Sequence, residues 1–296
     1  MGNKDITDFN EAQLRKRAAS KEELNICLTN NYAFQKIFKN EEIVKGFLIA
    51  LLHLKETDIE ELEVTDPFVE GEVKEEKEGI LDVKLILNGG KKINIEMQNT
   101  YQEDWAERSL FYNCRMFTEG LKKGESYYEL PPCIHVGILD FNYLKSPGFY
   151  HRILLKDDTT GELYSSKFQF HVIELSKIAT TKGKARKQDL YKWAKLISAS
   201  TWEEIREESE GNHYMEKVRD EMIKMSRDES ERYLYLREQM AIRDKASQLR
   251  SAENRGRREG ELLKLILQIQ KKIQKNKELH QIADEVEEEV IKIQPI

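Results

Sequence analysis

The 296-residue sequence has only three cysteines, five prolines and fifteen glycines. Cys27, Cys114 and Cys133 offer neither the even count of a disulfide framework nor the paired spacing of a zinc site, so they read as reduced thiols in a cytosol. Few prolines and glycines beside 39% apolar residues fit a soluble globular protein able to bury a core. Long apolar runs are missing too. No stretch approaches the ~18 residues of a membrane span, and the opening MGNKDITDFNEAQLRKRAAS has no apolar h-region, so no membrane and a cytoplasmic location are expected. An excess of positive charge is absent: a net charge of -6 excludes a uniformly basic nucleic-acid coat, though not a local basic face. The six histidines show no H-x-x-x-H spacing, and GRREG lacks the GK[ST] ending of a phosphate-cradling loop. His135 and His171, inside strand-like runs, therefore read as core or edge residues rather than ligands.

What is present changes character along the chain. Up to about residue 200, apolar runs, turns and aromatics alternate; beyond Trp202 the sequence is charge-dense with few turn residues. Phe34, Ile37, Phe38, Ile43, Phe47, Leu48 and Leu51 recur at three- and four-residue spacings, which predicts one helix over Asn31–Leu54 with Asn31 as its N-cap. Strand-like segments follow: LEVTDPFVEGEV, the pair in LDVKLILNGGKKINIEMQ, then CIHVGILDF and FHVIEL, with a helical EDWAERSLFYNCRMFTEGL before the last two. The order predicts an α/β or α+β single sheet with helices.

The pair within residues 81–98 is read more closely. A three-residue loop Asn88-Gly89-Gly90 flanked by Leu87 and Lys91 is a known hairpin length. It sets Leu85 opposite Ile93, Val83 opposite Ile95 and Leu81 opposite Met97, all on one face. On the other face Lys84 meets Asn94 and Asp82 meets Glu96, with Gln98 two residues further along. Two carboxylates in register repel, at a cost of roughly 0.2–1 kcal/mol, which a divalent cation between them removes. An ordinary solvated face carrying two acids fits the same register.

At these residues the sequence resembles the Rpn family of recombination-promoting nucleases and transposases, a branch of the PD-(D/E)XK nuclease superfamily. The signature is ILDV followed by INIEMQ, and the likeness extends through NNYAFQKIF, RSLFYNCRMF, HVIELSK and the C-terminal RGRREG. The superfamily carries Glu-x-Lys where this chain has Glu96-x-Gln98, and the branch often has Asp and Lys where Asn31 and Gln35 stand here. The resemblance implies a PD-(D/E)XK core, a mixed sheet flanked by helices, with a helical C-terminal tail. It implies a DNA endonuclease supporting recombination or mobile-element activity, with Asp82, Glu96 and Gln98 as its catalytic residues.

Phosphodiester hydrolysis needs an activated water and a neutralised leaving oxygen, and a metal on two carboxylates supplies both. Mg²⁺ suits Asp82 and Glu96 because it takes oxygen ligands and keeps several waters. Gln98 can orient a water but is neither charged nor a base, so Lys84, on the same face, is the nearest second group. Arg108, Tyr112 and Arg115 share a helix face that either meets phosphates or packs and pairs locally; Lys182, Lys184, Arg186 and Lys187 form a basic loop suited to DNA backbone.

Three segments are expected: a nuclease-like domain over 1–200, a charged helical extension and linker over 201–255, and a helical segment over 256–296. In the last, Leu262, Leu263, Leu265, Ile266, Ile269 and Ile273 form a stripe too wide for a solvated helix, and ELHQIADEVEEEVIKI reads as a second helix. Together they predict a helical hairpin or a self-association element. The alternative to a nuclease is an interaction protein that keeps the nuclease fold and acts through this tail.

Overall fold

The computed structural model describes residues 26–65, 68, 69, 79, 80, 82–88, 90–119, 124, 126–183 and 188–286, together with 12, 13, 15, 16 and 19. By packing, the chain divides into two units, Met1–Glu238 and Gln239–Ile296.

In the first unit the helical periodicity of 31–54 resolves into two helices, α1 (Asn31–Phe38) and α2 (Glu41–Leu52). The break lies where Asn40 turns its side chain onto the backbone N–H groups of Glu42 and Ile43 and caps the second helix. The cap of α1 is Asn30, not Asn31: its Oδ1 accepts from Ala33 N at 3.1 Å.

A six-stranded mixed sheet follows, made of β1 (Leu62–Thr65), β4 (Val83–Leu87), β5 (Lys91–Gln98), β6 (Cys133–Leu139), β8 (Leu163–Glu174) and β7 (Tyr150–Lys156), in that spatial order. β2 (Phe68–Val69) and β3 (Gly79–Ile80) form a separate antiparallel pair. β1–β4, β4–β5 and β7–β8 are antiparallel; β5–β6 and β6–β8 are parallel. The β4–β5 register is the expected one, with Val83 on Ile95, Lys84 on Asn94 and Leu85 on Ile93. Its loop turns through Gly90 at φ +88°, a left-handed conformation that glycine adopts without strain. β7 escaped the sequence reading because it is an edge strand whose Ile153 and Leu155 are exposed and whose pairing slips near Leu155.

Parallel β5 and β6 require a crossover, and α3 (Trp105–Thr118) supplies it. The sheet is therefore covered on both faces. On one face Val83, Leu85, Ile93, Ile95, Met97, Val136 and Ile138 join the main core with α1, α2 and α4 (Asp189–Ser198). α5 (Trp202–Ser209) and α6 (His213–Arg227) belong to this same core: Ile205, Met215, Val218 and Met222 are all but sealed. The charge-dense sequence after Trp202 is thus tightly packed, its charges lying on the outer faces of amphipathic helices. On the opposite face α3 lays Trp105, Tyr112 and Met116 over Cys133, Leu139 and Val172.

α7 (Glu229–Ile273) buries Arg232, Tyr235 and Leu236 in the first unit. The Gly-containing ENRGRREG segment, expected as a linker, is continuous helix within α7. In the second unit α8 (Leu279–Val286) buries Ile282 and Ala283 against Ile269 and Val286, and Glu285 takes both Lys272 and Lys277 in ion pairs. No helix among the described residues is long and apolar enough to cross a membrane.

Candidate active site

Period two along β5 sends Ile93, Ile95 and Met97 into the main core and Asn94, Glu96 and Gln98 toward α3. Glu96 is 2% exposed. Arg108 of α3 donates to one of its oxygens, Oε1, through Nε at 3.0 Å and Nη2 at 2.7 Å. Among the described residues no donor reaches the other oxygen, Oε2. Burial pushes the Glu96 carboxyl up to about 7; Arg108 pulls the other way, and Asp82 adds to the rise by repulsion.

Asp82 sits in the bend immediately before β4 rather than in the strand. Its Oδ2 accepts from Met97 N at 2.8 Å and its Oδ1 from Gln35 Nε2 at 2.9 Å. Burial raises its pKa, against the lowering effect of those two donors and of Arg108. Gln98 is buried beyond Glu96, with Nε2 donating to Thr100 O at 3.0 Å.

Behind Glu96 lies β6. Gly137 pairs in register with Glu96, and a Cβ there would stand 2.2 Å from Trp105 Cζ2, so only glycine admits the indole over this point of the sheet. His135 pairs with Asn94; its Nδ1 lies 3.2 Å from Asn94 Nδ2 and its Nε2 3.7 Å from Glu96 Oε2. Burial, helped by the charge of Arg108, holds this imidazole down at about 3, so it is neutral.

Other candidates are placed differently. Lys84 is buried and paired with Glu119 at 2.7 Å, and Lys92 donates to the Met116 and Glu119 carbonyls, so the two lysines anchor the C-terminal end of α3. Arg108 does meet a glutamate, but on the sheet beneath it, at Glu96, rather than along its own helix. Its guanidinium also lies 5.1 Å from the Tyr112 ring, which is itself buried against the sheet. Arg115 stacks over Phe111. Lys182 is exposed; Lys184, Arg186 and Lys187 lie outside the described residues.

A family model described as PD-(D/E)XK nuclease family transposase matches residues 28–252. The chain belongs to this family. Membership carries a nuclease or transposase-like function, a nucleic-acid substrate and, as PD-(D/E)XK nucleases generally have, use of a divalent cation. The curated proteins and the solved structures give no match.

The residues fit such a cation. Asp82, Glu96 and the Gln98 amide offer hard oxygens, Glu96 Oε2 is a buried acceptor with no donor among the described residues, and Arg108 is paired with one of the two carboxylates. Among the described residues no three of His, Cys, Asp and Glu converge as a metal cage. Sequence reasoning placed Asn94 on the face of Glu96 but missed Trp105 and His135 as neighbours of the site. The parallel pairing that assembles them joins segments about forty residues apart and has no local signature.

Proposed function

We propose that the chain is a Mg²⁺-dependent DNA endonuclease of the cytoplasm that hydrolyses phosphodiester bonds in support of recombination or element mobility. The observation that carries this reading is the buried Glu96 carboxylate, one oxygen of which has no donor among the described residues, together with Asp82 in the bend that leads into the neighbouring strand β4. A bound divalent cation would activate water and neutralise the leaving oxygen. Asp82 and Glu96 would hold it. The Met97 N–H and Gln35 fix one carboxylate and Arg108 the other, so both are oriented before substrate arrives. Gln98, with one amide hydrogen turned to Thr100 O, presents its carbonyl oxygen to orient the attacking water. Arg108, part-exposed above Glu96, meets a backbone phosphate, with Arg115 and the exposed Lys182 as further phosphate contacts.

The test is incubation of the protein with supercoiled plasmid in Mg²⁺, Mn²⁺ or chelator, beside an Asp82→Asn variant. Cleavage that needs the metal and vanishes in the variant is expected; cleavage in chelator, or by the variant, would sink the reading. Asparagine is preferred to alanine because Asp82 accepts the Met97 N–H, and alanine would leave that donor unpaired.

Self-association through the second unit is a further part of the proposal, since Leu262, Leu263, Ile266, Leu267 and Ile273 are each more than 40% exposed there. Sedimentation equilibrium of Ile266→Glu against wild type tests it, with loss of the larger species expected.

A further inference from the structure

We propose that His135 is a positioning residue for Glu96: the Asn94 amide fixes the imidazole as its Nε2–H tautomer, and that N–H holds the metal-binding carboxylate from behind. The inference rests on the metal-binding reading above.

Three buried groups line up along the α3 face of the sheet. Asn94 and His135 are fully buried neighbours on β5 and β6, and Glu96 follows Asn94 on the same face. The Asn94 Nδ2 group is a donor only, so at 3.2 Å it requires an unprotonated Nδ1. A neutral imidazole then carries its proton on Nε2, the nitrogen that faces Glu96 Oε2 at 3.7 Å. Reversing the Asn94 amide would place the proton on Nδ1 and leave Nε2 bare toward Glu96; with Nδ2 turned to Nδ1, as here, the carboxylate oxygen is offered a donor. The separation is about half an ångström beyond a hydrogen bond. Arg108 holds the far oxygen, Oε1, and a small shift of the carboxylate toward β6 closes the gap. His135 Nε2 and Glu96 Oε2 are otherwise without hydrogen-bond partners among the described residues, so a donor and an acceptor that each lack a partner face one another. The ring is held between Trp105 and Phe170, each with its centroid 6.1 Å away, so the N–H is aimed by packing as well as by Asn94. Outer partners of this kind orient metal ligands and change metal affinity by about 10- to 100-fold when removed.

Two measurements on the full chain test this without DNA. Long-range ¹H–¹⁵N correlation of the wild type at neutral pH should show His135 protonated at Nε2 and bare at Nδ1; the opposite tautomer overturns the proposal. Titration calorimetry with Mn²⁺ should show ~10- to 100-fold weaker binding for His135→Phe, which keeps an aromatic ring in the slot. His135→Gln, whose amide reaches as far as Nε2, should stay within a few-fold of wild type. Equal Mn²⁺ affinity in folded His135→Phe, or an equal loss in His135→Gln, would overturn the positioning role. No Mn²⁺ binding by the wild type would instead overturn the metal site and this inference with it.

Discussion

The two faces of β5 are equally sealed and chemically opposite. Ile93, Ile95 and Met97 are 0–1% exposed among hydrocarbon; Asn94, Glu96 and Gln98 are 0–8% exposed under α3. Hydrocarbon on the first face stabilises the fold by burial alone, at about 1.5–3 kcal/mol per large side chain. The second face buries an ionisable carboxylate and leaves Asn94 Oδ1, Glu96 Oε2, His135 Nε2 and Trp105 Nε1 without hydrogen-bond partners among the described residues. Such burial is unfavourable, roughly 1–3 kcal/mol for each unsatisfied group. A strand can thus hold the fold with alternate residues while the intervening ones form a site that a purely apolar strand would not tolerate.

The largest expected effect separates the faces by crossing them. Glu96→Gln should lower metal-dependent cleavage by ~10³-fold or more, the scale of several kcal/mol of metal-assisted stabilisation, while unfolding no more easily in urea. Ile95→Ala should do the reverse: a loss of about 2–5 kcal/mol in stability, with cleavage per folded molecule unchanged. If Ile95→Ala also removed activity from folded protein, the two faces would not be separable.

A smaller effect is expected from pH. The Glu96 carboxyl rises from 4.5 to about 7 in the folded chain, so its contribution to stability is fully present below pH 4.5 and is lost as pH climbs through 7. Metal-free wild type should therefore lose about 2–3 kcal/mol relative to Glu96→Gln between pH 5 and 8, measured by urea denaturation at each pH. Parallel curves for the two proteins would mean that Glu96 is not strained by its burial. Added Mg²⁺ should shrink the difference.

The smallest effect belongs to Gln98. Gln98→Lys should keep single-turnover cleavage within about tenfold of wild type, because a cation there also favours the developing phosphorane charge; Gln98→Leu should lose activity with its hydrogen bonds. A folded but inactive lysine variant would show that the amide is required in its own right.

How far the sequence revealed this follows from the range of the interactions. The alternation in VKLIL and INIEMQ is a local, period-two signal, and with the loop length it gave the register from Val83–Ile95 to Leu87–Lys91; the expected Asp82–Glu96 pair falls in the bend before β4, and Leu81 lies outside the described residues. The Asn40 cap inside an otherwise continuous apolar stripe was overlooked because periodicity ran through it. Arg108 was visible only as a member of a helix face; its pairing with Glu96 depends on where α3 crosses the sheet. Gln35 stood out as a departure from the family pattern, and only the fold brings it to Asp82 across 47 residues. His135 read as a core histidine, which it is by burial, but its ring nitrogens acquire their meaning from Asn94 and Glu96 on the neighbouring strand.

The central claim is that Asp82 and Glu96 act as one unit through a shared cation. It is tested most directly by a double-mutant cycle on single-turnover plasmid cleavage in Mg²⁺, with Asp82→Asn, Glu96→Gln and the two combined. Groups that act together lose their effect together. Each single variant should fall by ~10³-fold, and the double variant by no more than about tenfold beyond either. Losses that multiply, or a single variant that cuts like the wild type, would contradict the shared site.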